Sequence, residues 1–122
     1  MIKGVAADYM VYVDGQPLDL QGSLKVANHS PTGFMWGYLG SGPSQTALAL
    51  LLHFGATKEE ALAWYHQFKQ DVIAPLKDAQ TGQPLHEFEM DDSKVADWLE
   101  ARRIFSKELE MGYGTEGNQG GE

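Results

Sequence analysis

Residues 40–54 read GSGPSQTALALLLHF, and the fold turns on this stretch. Gly40, Ser41 and Gly42 make a permissive approach, and the fixed φ of Pro43 suits the first position of a helix. Ser41 or Gly42 can cap it. From Ser44 to about Phe54 the chain is apolar nearly all round, unlike the one-sided stripe of a surface helix. The spacing therefore predicts a helix buried at the centre of the molecule, with Gly55 as its C-terminal stop.

Upstream the sequence reads as strands and turns. Residues 9–13 (YMVYV) are β-branched and aromatic, a composition that fits a pleated surface. Asp14-Gly15 is a turn signal. Residues 16–20 (QPLDL) alternate, and Pro17 lacks an N–H, which places this arm at a sheet edge. Residues 23–26 extend or add a strand, 28–33 (NHSPTG) form a loop, and 34–39 (FMWGYL) form a short strand leading into the central helix.

Downstream, Thr57 and Glu60 form a capping box. The helix that follows carries Ala61, Trp64, Tyr65, Phe68 and Val72 on one face, and Pro75 ends it. Residues 78–84 (DAQTGQP) make a turn, and 85–90 (LHEFEM) alternate as a strand. Asp92 or Ser93 caps a last helix whose inward face holds Val95, Trp98, Leu99, Phe105 and Leu109. Arg102 shares that face, where it snorkels or meets a carboxylate. The architecture expected is α+β: a small N-terminal antiparallel sheet packed on a buried central helix, with two further amphipathic helices. Trp36, Trp64 and Trp98 share its core. Residues 1–111 form a single domain and 112–122 a disordered acidic Gly-rich tail.

Composition narrows the function. A chain of 122 residues can bury one core without a disulfide or metal staple. Its net charge of -8 disfavours direct nucleic-acid or anionic-membrane binding, since both need a basic footprint. The absence of cysteine excludes disulfides, thiolate zinc sites and a Cys nucleophile. The longest apolar run, residues 47–52, is far short of the roughly 20 residues of a membrane span. The expected location is the cytoplasm of the cell that holds the protein.

Two segments carry chemistry worth weighing. At the Gly-rich junction, Gly40, Ser41, Gly42, Ser44 and Gln45 could cradle a phosphate or nucleotide on the N–H groups of a helix start. No Lys follows as in a Walker A loop, the nearest forward one being Lys58, and there is no GxGxxG. The alternative is that the glycines let a tight turn pass beneath Trp36 and Tyr38. Ser41 lies in GSG rather than the GxSxG of a nucleophile elbow. His29, His53, His66 and His86 have no metal-ligand spacing, so neither metal nor cofactor is expected, and no catalytic residue is assigned. The second segment is the acidic set Glu87, Glu89, Asp91, Asp92, Asp97 and Glu100. From Asp78 onward, acidic residues outnumber basic ones eleven to four. This is either a solvated face or an electrostatic surface for a basic partner. Tyr9, Tyr12 and Tyr38, if exposed, could add to an interface.

The runs GFMWGYLGSGPSQTALALLL and AWYHQFKQDVIAPL resemble an uncharacterised small-protein family, a domain of unknown function numbered six-one-six-six. Its members show an FxWGYGGSGPAQLALAIL-like signature and then a YxxFKxxV-like helix, matched here by Tyr65, Phe68, Lys69 and Val72. Leu39 replaces a Gly of that signature, and Thr46 stands where an apolar residue is usual. The resemblance implies a small accessory protein of phages, plasmids and other mobile elements or their hosts, and it implies no activity. Together these readings predict a non-enzymatic protein that binds a host protein through an acidic surface. The partner would be a basic nucleic-acid-binding component of a bacterial defence system, as for an anti-CRISPR.

Overall fold

The α+β architecture read from the sequence is present in the computed structural model, which describes residues 1–120, with side chains through Met111. Strands β1 (Ile2–Val5), β2 (Met10–Val13), β3 (Gln16–Pro17) and β4 (Glu87–Met90) form one antiparallel sheet in the order β3-β2-β1-β4. Among the described residues four α-helices accompany it: α1 (Leu20–Val26), α2 (Ser41–His53), α3 (Lys58–Phe68) and α4 (Ser93–Gly120). The tail expected at 112–122 lies outside the residues whose side chains are described.

Helix α2 is the centre. Every residue from Gly42 through Leu51 is buried, and α1, α3 and the turn after α3 pack around it. Each enclosed leucine contributes about 1.5–3 kcal/mol relative to exposure. The sheet contributes Ile2, Val11, Val13, Phe88 and Met90 to the same core, and α4 contributes Val95 and Leu99. Trp36 is fully buried there, while Trp64 and Trp98 are half-buried at its margin.

The helix boundaries correct several expectations. Helix α2 starts at Ser41 rather than Ser44, and Gly40 occupies the cap position without a side-chain bond. Gly55 lies just past its end at φ 105°, as the stop expected there. Residues 23–26 are helical, not extended. Asp19 caps α1 by accepting the Gly22 N–H at 2.9 Å, and the Ser23 hydroxyl donates to the Leu20 carbonyl at 2.8 Å. The edge arm therefore shortens to Gln16 and Pro17.

The aromatic segment 34–39 is not a strand either. Its backbone bonds go to three places in turn, Phe34 N–H to the Tyr9 carbonyl, Met35 N–H to Thr46 Oγ1 and Gly37 N–H to the Ile73 carbonyl. No single partner strand runs beside it, and Gly37 turns the chain at φ 88°. It is an extended strap across the start of α2. Strand β1, which the sequence reading passed over, takes the centre of the sheet. Its Gly4 lies beneath Phe88 and Trp36, with no room for a side chain.

The capping box at Thr57 and Glu60 forms with both bonds in place. Glu60 also receives a two-pronged pair from Arg103 of α4, at 2.7 and 2.9 Å, and Arg103 donates to the Gly55 carbonyl as well. This clamp fixes α4 against the α2–α3 corner. The inward face expected for α4 holds only for its first turns. Phe105 and Leu109 are 53% and 56% exposed, because the helix runs on past the body that covers Val95 and Leu99.

Two outcomes follow. Gly4→Ala should lower stability by about 1–3 kcal/mol in urea unfolding, because its Cβ would drive into the Phe88 and Trp36 rings. Arg103 and the Thr57 N–H hold the Glu60 pKa at about 2, against an ordinary 4.5. The clamp's contribution is therefore full above pH 5 and disappears as pH falls toward 2. Both partners are partly solvated, so it should amount to about 1 kcal/mol. Unfolding of Glu60→Gln measured across that window should show the corresponding pH dependence removed.

Candidate functional site

The Gly-rich junction folds as a knot of internal bonds. Gly40 sits against the Tyr38 ring and Gly42 against its hydroxyl, and a Cβ on Gly42 would come within 2.8 Å of the Met35 Cβ. Gln45 is fully buried, and its amide is satisfied at all four positions. Its Oε1 accepts from the N–H groups of His29 and Ser30 at 2.7 and 3.0 Å. Its Nε2 donates to Ser23 Oγ and the Ala27 carbonyl at 2.9 and 3.0 Å. One side chain thus fastens the end of α1 and the following loop to α2. Thr46 does the same for the aromatic strap, bonding the Met35 N–H and carbonyl.

Ser44 is also engaged. Its hydroxyl donates to the Gly40 carbonyl at 3.0 Å and accepts from Lys69 Nζ at 2.9 Å. Of the five candidate residues here, Gly42, Ser44 and Gln45 are buried, Gly40 is half-buried, and only Ser41 is exposed. The side chains of Ser44 and Gln45 are spent on holding neighbouring segments, while Ser41 is exposed. The close neighbours of Gly40 and Gly42, Tyr38 and Met35, leave no room for side chains at those two positions.

Lys69 was not among the residues singled out by spacing, although Lys58 was considered. It is only 6% exposed, and among the described residues no carboxylate lies within 4.0 Å of it. It opens a π-helical turn, Lys69–Ile73, that extends α3. The signal was available: Lys69 falls four residues after Tyr65 and eight after Ala61, on the inward side of α3. Nearby, the His29 ring lies 4.9 Å from that of Tyr65. Burial, helped by the neighbouring His66 and Lys69, pushes the His29 pKa down. Among the described residues its buried Nε2 has no hydrogen-bond partner.

The acidic residues are placed differently. Glu87 and Glu89 alternate outward on β4 while Phe88 and Met90 point into the core. Asp97 and Glu100 are exposed on α4. None of these four makes a hydrogen bond or ion pair with another described residue. Two acids have local duties. Asp91 accepts the Ser93 N–H at 2.9 Å, which holds its pKa below the usual carboxylate range, and Asp92 pairs with the Met1 amino group at 2.6 Å. Among the described residues Arg102 pairs with no carboxylate within 4.0 Å. It stacks over Trp64 and Phe105 at 5.5 and 5.2 Å. Tyr9 and Tyr38 are exposed and Tyr12 is half-buried. Among the described residues no group of three or more His, Asp or Glu could hold a metal, and no helix is long and apolar enough to cross a membrane.

Residues 3–101 match the model of a family of unknown function, DUF6166. The chain belongs to this family. The match takes in the whole sheet-and-helix body up to the outward turn of α4, including both the Gly-rich junction and the acidic stretch. DUF6166 carries no assigned activity in its description. No match was found among curated proteins or among solved structures.

The Ser44–Lys69 contact is testable by a double-mutant cycle. Ser44→Ala leaves the Lys69 ammonium buried without the hydroxyl that accepts its hydrogen bond, and should cost about 1.5–3 kcal/mol. In a Lys69→Met background the same change should cost much less, because no charge is left stranded.

Proposed function

We propose that the protein is a non-enzymatic accessory protein of a phage or other mobile element. It acts in the host cytoplasm by binding a basic host protein through its acidic face. The concrete form of this reading is an inhibitor of a nucleic-acid-binding defence complex, such as an anti-CRISPR. The observation that carries it is the set of carboxylates at Glu87, Glu89, Asp97 and Glu100, exposed on one continuous stretch of chain from β4 into α4 and, among the described residues, in no hydrogen bond or ion pair within 4.0 Å. Asp91 and Asp92 in the connecting turn add to the field. With a net charge of -8 overall, such a surface speeds encounter with a basic partner and repels acidic ones. A basic groove built for a nucleic-acid backbone is the kind of surface it would occupy. The buried roles of Ser44 and Gln45 also favour recognition on the outside of the molecule over a ligand held at the junction.

The test is co-elution with purified CRISPR effector complexes, with and without guide RNA. Binding should compete with nucleic acid, and its association rate should fall about tenfold or more between low and 0.3 M salt. The triple variant Glu87→Lys, Glu89→Lys, Asp97→Lys should abolish it. Salt-insensitive binding that survives this variant would remove the acidic face from the account. Failure to bind any such complex would remove the defence-inhibitor form.

A further inference from the structure

Resting on the acidic-face reading, we propose that β4 is the docking edge itself: a basic, extended segment of the partner adds to the sheet as a fifth strand beside Glu87 and Glu89. The first support is the direction of the backbone groups. The Ala6 N–H donates to the His86 carbonyl at 2.8 Å, and the Asp14 N–H donates to the Met1 carbonyl at 3.0 Å. In an antiparallel ladder hydrogen-bonded pairs alternate. With the register Gly4↔Phe88 and Ile2↔Met90, the main-chain groups of His86, Phe88 and Met90 therefore face β1. Those of Glu87 and Glu89 face away from the sheet. Outside the β1–β4 ladder, no backbone hydrogen bond among the described residues ends on them.

The second support is that the opposite edge cannot serve equally. Strand β3 is two residues long, and one of them is Pro17, which has no N–H to offer. Strand β4 has four residues, and its two outward-facing backbones carry the two unpaired glutamates. A strand laid along it would gain main-chain bonds from the edge and charge complementarity from the side chains. Lys3 lies opposite Glu89 on β1 but makes no ion pair with it within 4.0 Å. The glutamates are also what keeps this edge from pairing with a second copy of itself, since like charges would then meet across the ladder. The same charges that reject self-association select a basic strand.

The third support is a cavity at the start of the strand. An open pocket of about 530 Å³ is lined by Ala6, Met35, Leu85 and His86, with Asp78 on its wall. It offers an apolar seat for the stem of a long side chain and a carboxylate for its cationic end. Asp78 accepts the N–H groups of Gln80 and Thr81 at 2.8 and 3.0 Å, bonds that favour its ionised form.

A synthetic seven-residue peptide of alternating Lys and Val is a direct probe, with NMR amide exchange as the readout. Binding should slow exchange at the Glu87 and Glu89 amides at least tenfold. A copy N-methylated on the residues that face β4 keeps the charge but cannot form the ladder, and it should bind at least tenfold more weakly. Glu87→Lys with Glu89→Lys should abolish binding with the fold intact by circular dichroism, and Asp78→Asn should weaken it severalfold. Equal binding of the methylated copy, or binding without protection of those two amides, would overturn strand addition while leaving the acidic-face reading in place. No binding of the peptide at all would also overturn strand addition, and the salt-dependent co-elution above would then decide the acidic face separately.

Discussion

A helix that is apolar on every side must be enclosed on every side, and most of this fold answers that constraint on α2. No single neighbour can cover it. The sheet, α1, α3 and the first turns of α4 each take a sector. Enclosure creates a second problem at the helix start, where Ser44, Gln45 and Thr46 go into the interior with their polar groups. A buried hydroxyl or amide without a partner costs on the order of 1–3 kcal/mol. The solution is to draw irregular backbone in around them. Gln45 binds the loop after α1, Thr46 binds the aromatic strap, and Ser44 meets Lys69 from α3. The loops of the molecule are held in place by the polar needs of its central helix.

This explains which parts were legible in advance. Features set by local chemistry could be read: the Thr57–Glu60 box, the stop at Gly55, the all-round apolar character of α2, and the inward face of α3. Features set by remote partners could not. Residues 34–39 have the composition of a strand, but their hydrogen bonds go to Tyr9, Thr46 and Ile73, which no local pattern discloses. Residues 23–26 include β-branched and apolar side chains, yet Asp19 and Ser23 supply a helix start that outweighs this propensity. Strand β1 was hidden for a related reason. It is short and carries Gly4 at its middle, a residue that weakens a strand by itself and is needed only because two aromatic rings lie over it.

The candidate site divides along the same line. That Gly40, Ser41, Gly42, Ser44 and Gln45 form a special junction was visible in the sequence, but whether they face a ligand or the interior was not. The partners of Ser44 and Gln45 are Lys69 and the loop at His29, which meet α2 from 15 or more residues away in the chain. The acidic residues were easier to place, because alternation on β4 already assigns Glu87 and Glu89 to one face and Phe88 and Met90 to the other. What alternation cannot supply is the neighbour of a strand. Only the sheet order makes β4 an edge, and only the register turns the backbones of the two glutamates outward.

Buried and exposed polar groups therefore divide the work of this chain. Inside, the side chains of Ser44, Gln45 and Thr46 are each matched to a specific neighbouring segment. Outside, the carboxylates of Glu87, Glu89, Asp97 and Glu100 make no hydrogen bond and no ion pair within 4.0 Å with another described residue. An exposed unpaired glutamate contributes little to stability, and several on one short stretch repel one another. On an edge strand they do have a use in the isolated protein, because they discourage pairing between copies. That use accounts for Glu87 and Glu89 but not for Asp97 and Glu100 on α4, which border no open ladder. In the function proposed above, neutralisation by a basic partner would account for all four.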